Sequence, residues 1–248
     1  SAISLLLILA LVRWRHTSLA TPHWRFQLWR AASGFFALLL YFYAITLLPL
    51  ATAVTLNYTS PLFLAIYLGG FGKMRLRGRM LGALVLGFVG VVVLLRPTFA
   101  AEQMLGGLMG LSSGVLAGLA YYNVRELGER GESEERTVFY FSLFSTVVSL
   151  IWMALFEFHA LDVRGGLLLF GAGGFATLAQ LAMTRAYQRG KTFVSASLAY
   201  STVIFASVFG VLFWQEALSF STWLAIALIM ASGILAARFS RANPAEVD

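Results

Sequence analysis

Residues 49–61 read Pro-Leu-Ala-Thr-Ala-Val-Thr-Leu-Asn-Tyr-Thr-Ser-Pro and open an otherwise apolar segment that continues to Leu68. Asn57, Tyr58 and the threonines at 52, 55 and 59 therefore fall inside a stretch long enough to cross a bilayer as a helix. Pro61, placed in the interior of that helix, has no N–H to give the carbonyl four residues earlier, which belongs to Asn57. One position then holds both a free backbone acceptor and an amide side chain. At membrane depth such a defect is tolerated where backbone is buried in protein or lines a cavity.

The composition around this segment fits a membrane. Of 248 residues, 59% are hydrophobic and only 12% charged, with a mean hydropathy of +0.80. Too few polar side chains are present to solvate a globular surface, so the chain is read as a polytopic, all-α membrane protein. With no cysteine there is no disulfide framework and no thiolate metal site. The net charge of +7 does not point to nucleic acid, because the cations fall in short loops between apolar runs.

An apolar run needs roughly 20 residues to span as a helix. Eight segments are predicted to do so, at about 28–48, 50–69, 78–95, 104–124, 137–156, 164–185, 193–214 and 219–238. Ile3 to Val12 is too short, lacks the basic flank and cleavage site of a signal peptide, and reads as the second half of a helix whose beginning is not in this chain. Orientation follows from the loops. Arg13, Arg15, Arg25 and Arg30, then Lys73, Arg75, Arg77 and Arg79, then Arg125, Arg130 and Arg136, then Arg185, Arg189 and Lys191, then Arg238 and Arg241 alternate onto one side. Only Arg96 and Arg164 of the 18 cationic residues fall on the other. The first side is expected to be cytoplasmic, with the C-terminus. Arg125 to Arg136, rich in glutamate, is expected to be a solvated loop, and Arg30 and Arg185 are expected to snorkel from span ends.

The chain repeats itself. Thr55-Leu56-Asn57-Tyr58-Thr59-Ser60 aligns with Ser197-Leu198-Ala199-Tyr200-Ser201-Thr202, 142 positions later, and the same offset pairs Ala44 with Ala186 and Phe63 with Phe205. Residues 1–97 and 104–238 are the expected copies, followed by a tail from 239 to 248. The second copy holds five complete spans, so a full first copy makes ten. An odd number per copy forces opposite insertion, giving inverted repeats about an axis in the membrane plane, as in alternating-access carriers.

Polar groups recur on one face of the matched helices. Thr55, Tyr58 and Thr59 stand at i, i+3 and i+4, as do Ser197, Tyr200 and Ser201. The small hydroxyls could simply bond their own i−4 carbonyls. The duplicated tyrosine is the sharper signal, because both copies are expected to aim at one central volume. Tyr41 and Tyr43, near the middle of the preceding span, are added as candidate solute contacts, with ordinary core packing as the other reading. Asn57 is expected to orient the solute, and Pro61 to act as a kink or hinge. The second copy carries Ala199 and Val203 in their places. Trp152, Tyr121 and Tyr122 are weaker candidates because each lies nearer a span end. Gly106, Gly110, Gly114 and Gly118 recur every four residues and read as a helix-packing stripe.

Other chemistry lacks residues to carry it. No Asp or Glu falls in the central third of any predicted span, which removes an intramembrane carboxylate relay. His16, His23 and His159 lie in predicted loops without metal spacing, and Glu216 lies at an outer end. No catalytic set, cofactor site or metal site is expected.

The residues that carry the repeat also carry a resemblance. Phe42-Tyr43-Ala44, Leu48-Pro49-Leu50-Ala51-Thr52-Ala53, Tyr58-Thr59-Ser60-Pro61-Leu62-Phe63 and Gly87-Phe88-Val89-Gly90-Val91 resemble the EamA-type carriers of the drug/metabolite transporter superfamily, over nearly the whole chain. That resemblance implies a monomeric, ten-helix, inverted-repeat carrier in a bacterial inner membrane, with a small-molecule substrate. Among its branches the chain is similar to the YddG-like exporters of aromatic and other neutral amino acids. Related branches take up S-adenosylmethionine or riboflavin, and the motifs do not separate these. A non-transporting assembly protein would need only packing surfaces, and it gives no reason for the duplicated polar face.

Overall fold

The computed structural model describes residues 1–71, 78–95, 103–155, 163–214 and 220–241. Helices account for nearly all of these, in the order α1 (Ala2–Trp14), α2 (Trp24–Leu47), α3 (Leu50–Asn57), α4 (Ser60–Gly70), α5 (Gly78–Leu95), α6 (Met104–Glu129), α7 (Glu134–Leu155), α8 (Val163–Arg189), α9 (Thr192–Ala199), α10 (Ser201–Trp214) and α11 (Phe220–Arg241). Helices α2, α6, α7, α8 and residues Phe220–Phe239 of α11 are each long and apolar enough to cross a membrane. The chain is a polytopic α-helical membrane protein. Lys73, Arg75, Arg77, Arg96, His159, Glu216 and the end of the 239–248 tail, all part of the sequence reading, lie outside the described residues.

Two of the eight expected spans are not continuous. The 50–69 span divides into α3 and α4 around Tyr58 and Thr59. Pro61 is therefore not interior to a helix. It sits in the first turn of α4, where a missing N–H removes no intrahelical bond. Asn57 ends α3, so its carbonyl belongs to a helix terminus. The chain turns tightly, Thr59 N–H bonding Leu56 O at 3.2 Å before Thr59 O accepts from Leu62 and Phe63.

The 193–214 span breaks at the matching place without any proline. Tyr200, between α9 and α10, bonds Ser197 O through its N–H at 3.4 Å, and its own carbonyl accepts from Val203. Ser201 Oγ meanwhile donates to Leu198 O at 2.6 Å, a local bond that competes with the regular ladder. Thr59 and Tyr200 keep right-handed helical dihedrals, so neither break needs glycine.

The helices form two compact units, Ser1–Phe35 with Asn123–Arg189 and Phe36–Tyr122 with Gly190–Asp248. Each draws on both halves of the chain. In the first, α1 packs on α7 and α8, burying Ile8 and Val12 against Val138. Its Arg-rich end holds the 125–136 segment, and here the expectation of a solvated loop fails. Helix α6 runs on to Glu129, Gly131 takes a positive φ of +74° at the turn, and Glu126, Glu132, Glu134 and Glu135 are buried.

Their charges are met by arginines within the segment and by arginines and polar groups from elsewhere in the chain. Glu132 accepts from Thr21, from Gln27 at 3.0 Å and from Arg136 at 2.9 Å. Arg15 pairs with Glu135, and Arg189 with Glu134 at 2.6 Å. Arg130 bonds Glu126 at 2.7 Å and covers the Phe26 ring at 3.9 Å. Buried carboxylates persist only when paired in this way.

In the second unit, α5 and α11 form the hub. A Cβ on Gly90 would fall 2.8 Å from Ile229 Cγ1 and 3.1 Å from Ala225 O, so the two helices meet almost backbone to backbone. Ser232 Oγ donates across the crossing to Ala83 O at 2.7 Å. Both broken helices lean on α5, and α9 also packs against α11.

Candidate functional site

Tyr58 and Tyr200, the duplicated tyrosines, occupy the two helix breaks and meet in the second unit. Their ring centroids are 6.1 Å apart with the planes at 58°, inside a cluster with Val91, Val203 and Ile229. The Tyr58 hydroxyl bonds Thr202. Tyr200 is fully buried, pressed against Gly87, on which a Cβ would fall 2.5 Å from the tyrosine Cδ2 and 2.5 Å from Ser232 Oγ. Only glycine fits there. One turn earlier on α9, Ser197 is buried as well. Neither Tyr200 Oη nor Ser197 Oγ has a hydrogen-bond partner among the described residues. A buried hydroxyl left unmade costs about 1–3 kcal/mol, so two on one helix turn are a place where a bound molecule can supply what the fold does not.

The other candidates divide. Thr55 Oγ1 donates to Ala51 O at 2.8 Å and Thr59 Oγ1 to Leu56 O at 2.6 Å, and Ser201 does likewise. These three satisfy their own helices, as hydroxyls in membranes commonly do. Asn57 Nδ2 donates to Ser113 Oγ at 3.1 Å, and that hydroxyl donates to Gly110 O at 2.6 Å. The amide ties the end of α3 to α6. Tyr41 is half-buried against Ala44, Leu48 and Ala53. Tyr43 does not share its face. It is 50% exposed, because two residues rotate a helix by about 200°. Trp152 is exposed, and Tyr122 packs on Phe71 with centroids 5.2 Å apart.

The glycine stripe of α6 follows the broken helix throughout. Cβ atoms built on Gly106, Gly110 and Gly118 would fall 2.8 Å from Leu48 Cγ, 2.8 Å from Leu56 Cδ1 and 2.9 Å from Ser60 O. On Gly114 a Cβ would fall 2.7 Å from Leu56 O, beside Thr59. The stripe thus lies against the Tyr58–Thr59 turn.

Arg30 corrects the snorkelling expectation. Helix α2 begins at Trp24 rather than near residue 28, so Arg30 lies well inside it and is only 2% exposed. Nη2 donates to Gln180 Oε1 at 3.1 Å, and the guanidinium lies 4.6 Å from the Phe141 ring centroid. Arg185 is exposed. Gln180 was missed in the sequence, although it is the one amide within the 164–185 span. Among the described residues no group of His, Asp or Glu is placed to hold a metal ion.

Long apolar helices, with two further helical stretches that break around the paired tyrosines beside the unmet hydroxyls of Tyr200 and Ser197, place the chain among polytopic membrane proteins. The model of the EamA-like transporter family matches residues 1–96 and 104–238, and the chain belongs to that family. It is 31% identical to the pseudopaline exporter of Pseudomonas aeruginosa over 218 residues, 87% of this chain and 76% of that protein. It is 27% identical to an uncharacterized transporter of Helicobacter pylori over 216 residues, 84% of this chain and 72% of the other. A solved crystal structure shares the fold at a TM-score of 0.84 and 23% identity, covering 96% of this chain and 85% of that one.

Proposed function

We propose that this transporter exports small metabolites, aromatic and other neutral amino acids foremost, by alternating access around a midplane cavity. Two inverted five-helix repeats rock around that cavity in a bacterial inner membrane, with the C-terminus inside and the protein acting as a monomer. The observation that carries this reading is the Tyr58–Tyr200 pair, with buried unmet hydroxyls on Tyr200 and Ser197 where both helices break. Aromatic faces stack on an apolar side chain, and the hydroxyls bond its polar end. The remaining wall is assigned to Tyr41, Asn57, Thr55, Thr59 and Ser201, with the turn at Pro61 as the hinge. Relatedness to an exporter supports the outward direction.

The test is transport of labelled phenylalanine, tyrosine, tryptophan and leucine in proteoliposomes. Tyr200→Phe keeps the ring and removes only a hydroxyl that the fold leaves unbonded. It should stabilise the protein by about 1 kcal/mol or more while lowering transport about tenfold, the loss of one hydrogen bond of about 1.4 kcal/mol. Tyr58→Ala should lower transport at least as far. Normal rates in both variants would remove the site assignment, and a wild-type protein that carries none of the four would remove the amino-acid reading.

A further inference from the structure

Helices α2 and α7 part on one side of the first unit and leave a groove of about 290 Å³ between them. Trp24 and Tyr140 stand at its head, Leu28 and Phe144 along its walls, Val147 at its far end and the small, buried Ala31 at its base. From Trp24 to Ala31 on α2, and from Tyr140 to Val147 on α7, it runs about 10 Å along the helices. Both helices are of membrane-crossing length and composition, and a Trp and Tyr head is the composition of a membrane interface. The groove thus leads from the interface into the hydrocarbon. Trp24, Leu28 and Val147 on its rim stay exposed, so among the described residues nothing covers it.

The head carries an uncommitted charge. Arg25 Cζ lies 5.5 Å from the Trp24 ring centroid, and its exposed guanidinium makes no ion pair among the described residues. In the same unit Arg15, Arg130, Arg136 and Arg189 are all paired with buried glutamates. The surrounding chain is pinned, since Tyr140 Oη donates to Leu19 O at 2.9 Å and Arg136 Nε to Ser18 O at 2.8 Å. With its hydroxyl engaged, the Tyr140 ring is left to line the groove. An apolar slot wants hydrocarbon rather than water, and a guanidinium at its mouth matches a phosphate. Basic positions beside membrane helices recognise anionic headgroups in this way.

We propose that the α2–α7 groove binds one anionic phospholipid from the leaflet at the Arg-rich end. One acyl chain lies from Trp24 to Val147, and the phosphate sits on Arg25. The assignment does not depend on which solute is carried.

The test is native mass spectrometry of the full chain released from micelles with equal phosphatidylglycerol and phosphatidylcholine, both bearing palmitoyl and oleoyl chains. The wild type should retain one phosphatidylglycerol about fivefold over phosphatidylcholine, the worth of one arginine near an anionic headgroup. Arg25→Ala, at an exposed and unpaired position, should bring the two lipids to parity. Val147→Trp, on the exposed rim, should fill the far end and lower retention of both about tenfold, the loss of about two buried CH₂ groups. Glycerol 3-phosphate, the headgroup without chains, should displace neither. Parity in the wild type, a preference that survives Arg25→Ala, or full retention by Val147→Trp overturns the proposal. Displacement by glycerol 3-phosphate would give the head to free phosphate, and a lipid-free dimer would give the groove to a second copy. Either result overturns the proposal too.

Discussion

Glu132→Ala is expected to destabilise the protein by about 3–5 kcal/mol, the usual cost of removing one partner from a buried ion pair. Glu132 is 6% exposed and accepts from three segments, through Thr21 before α2, Gln27 on α2 and Arg136 on α7. Its loss leaves Gln27, itself fully buried, without that acceptor, and separates three parts of the first unit at once. The carboxylate also carries a pH signature. Burial alone would raise its pKa, but the bonds from Thr21 and Arg136, the Arg136 charge and the bond from Gln27 hold it below the ordinary glutamate value of 4.5. A group whose folded pKa is lowered contributes stability above its unfolded value and loses it as pH falls through the folded one. Thermal melts of the detergent-solubilised protein should therefore hold near neutrality and drop below pH 4.5. Glu132→Gln should be less stable at neutral pH and should show a shallower acid limb. A variant as stable as the wild type at pH 7 would mean that the bonds to Glu132 are worth no more than exposed pairs.

Which parts of this architecture can be read from the sequence depends on the range of the interactions that fix them. Spans are legible because a bilayer demands about 20 apolar residues, and most of the long helices lie within a few residues of their expected bounds. The tyrosine pair is legible because a repeat writes it twice. The break at Tyr200 is not, since no proline marks it and only local bonds from Ser201 and Val203 reveal it. The acidic segment misleads for the opposite reason. Its i,i+4 pairs, such as Arg125 with Glu129 and Glu132 with Arg136, are visible, but Arg15, Thr21, Gln27 and Arg189 come from far along the chain. Arg30 is misplaced because a charge reads as the end of a hydropathy segment, whereas Trp24 starts the helix. The opposed faces of Tyr41 and Tyr43 needed only the helical angle.

Gly114→Leu is expected to be the most damaging single change on α6. The stripe holds α6 against carbonyls as well as side chains, and a Cβ on Gly114 would fall 2.7 Å from Leu56 O and 3.4 Å from Asn57 O, the last residues of α3. Backbone there cannot step aside without undoing the turn that carries Tyr58. Alanine separates the two terms. Helix propensity favours it over glycine by about 1 kcal/mol, while overpacking costs about 1–3 kcal/mol, so Gly114→Ala should be mildly destabilising. Thr59→Ala should recover only the part due to the Thr59 side chain. Leucine adds three further carbons with nowhere to go, and a loss of about 3 kcal/mol or more would lower the melting temperature by roughly 10 °C for a chain of this length. Gly82→Leu is the matched control, since that glycine is exposed on α5 and nothing lies within 4 Å of its Cβ position among the described residues. Because Asn57 reaches Ser113 beside this contact, displacing α3 also breaks the bond that holds the end of the helix next to Tyr58. Transport by Gly114→Ala should therefore fall further than its small change in stability would suggest. A Gly114→Leu protein that melts and transports like Gly82→Leu would show that α6 does not bear on the break.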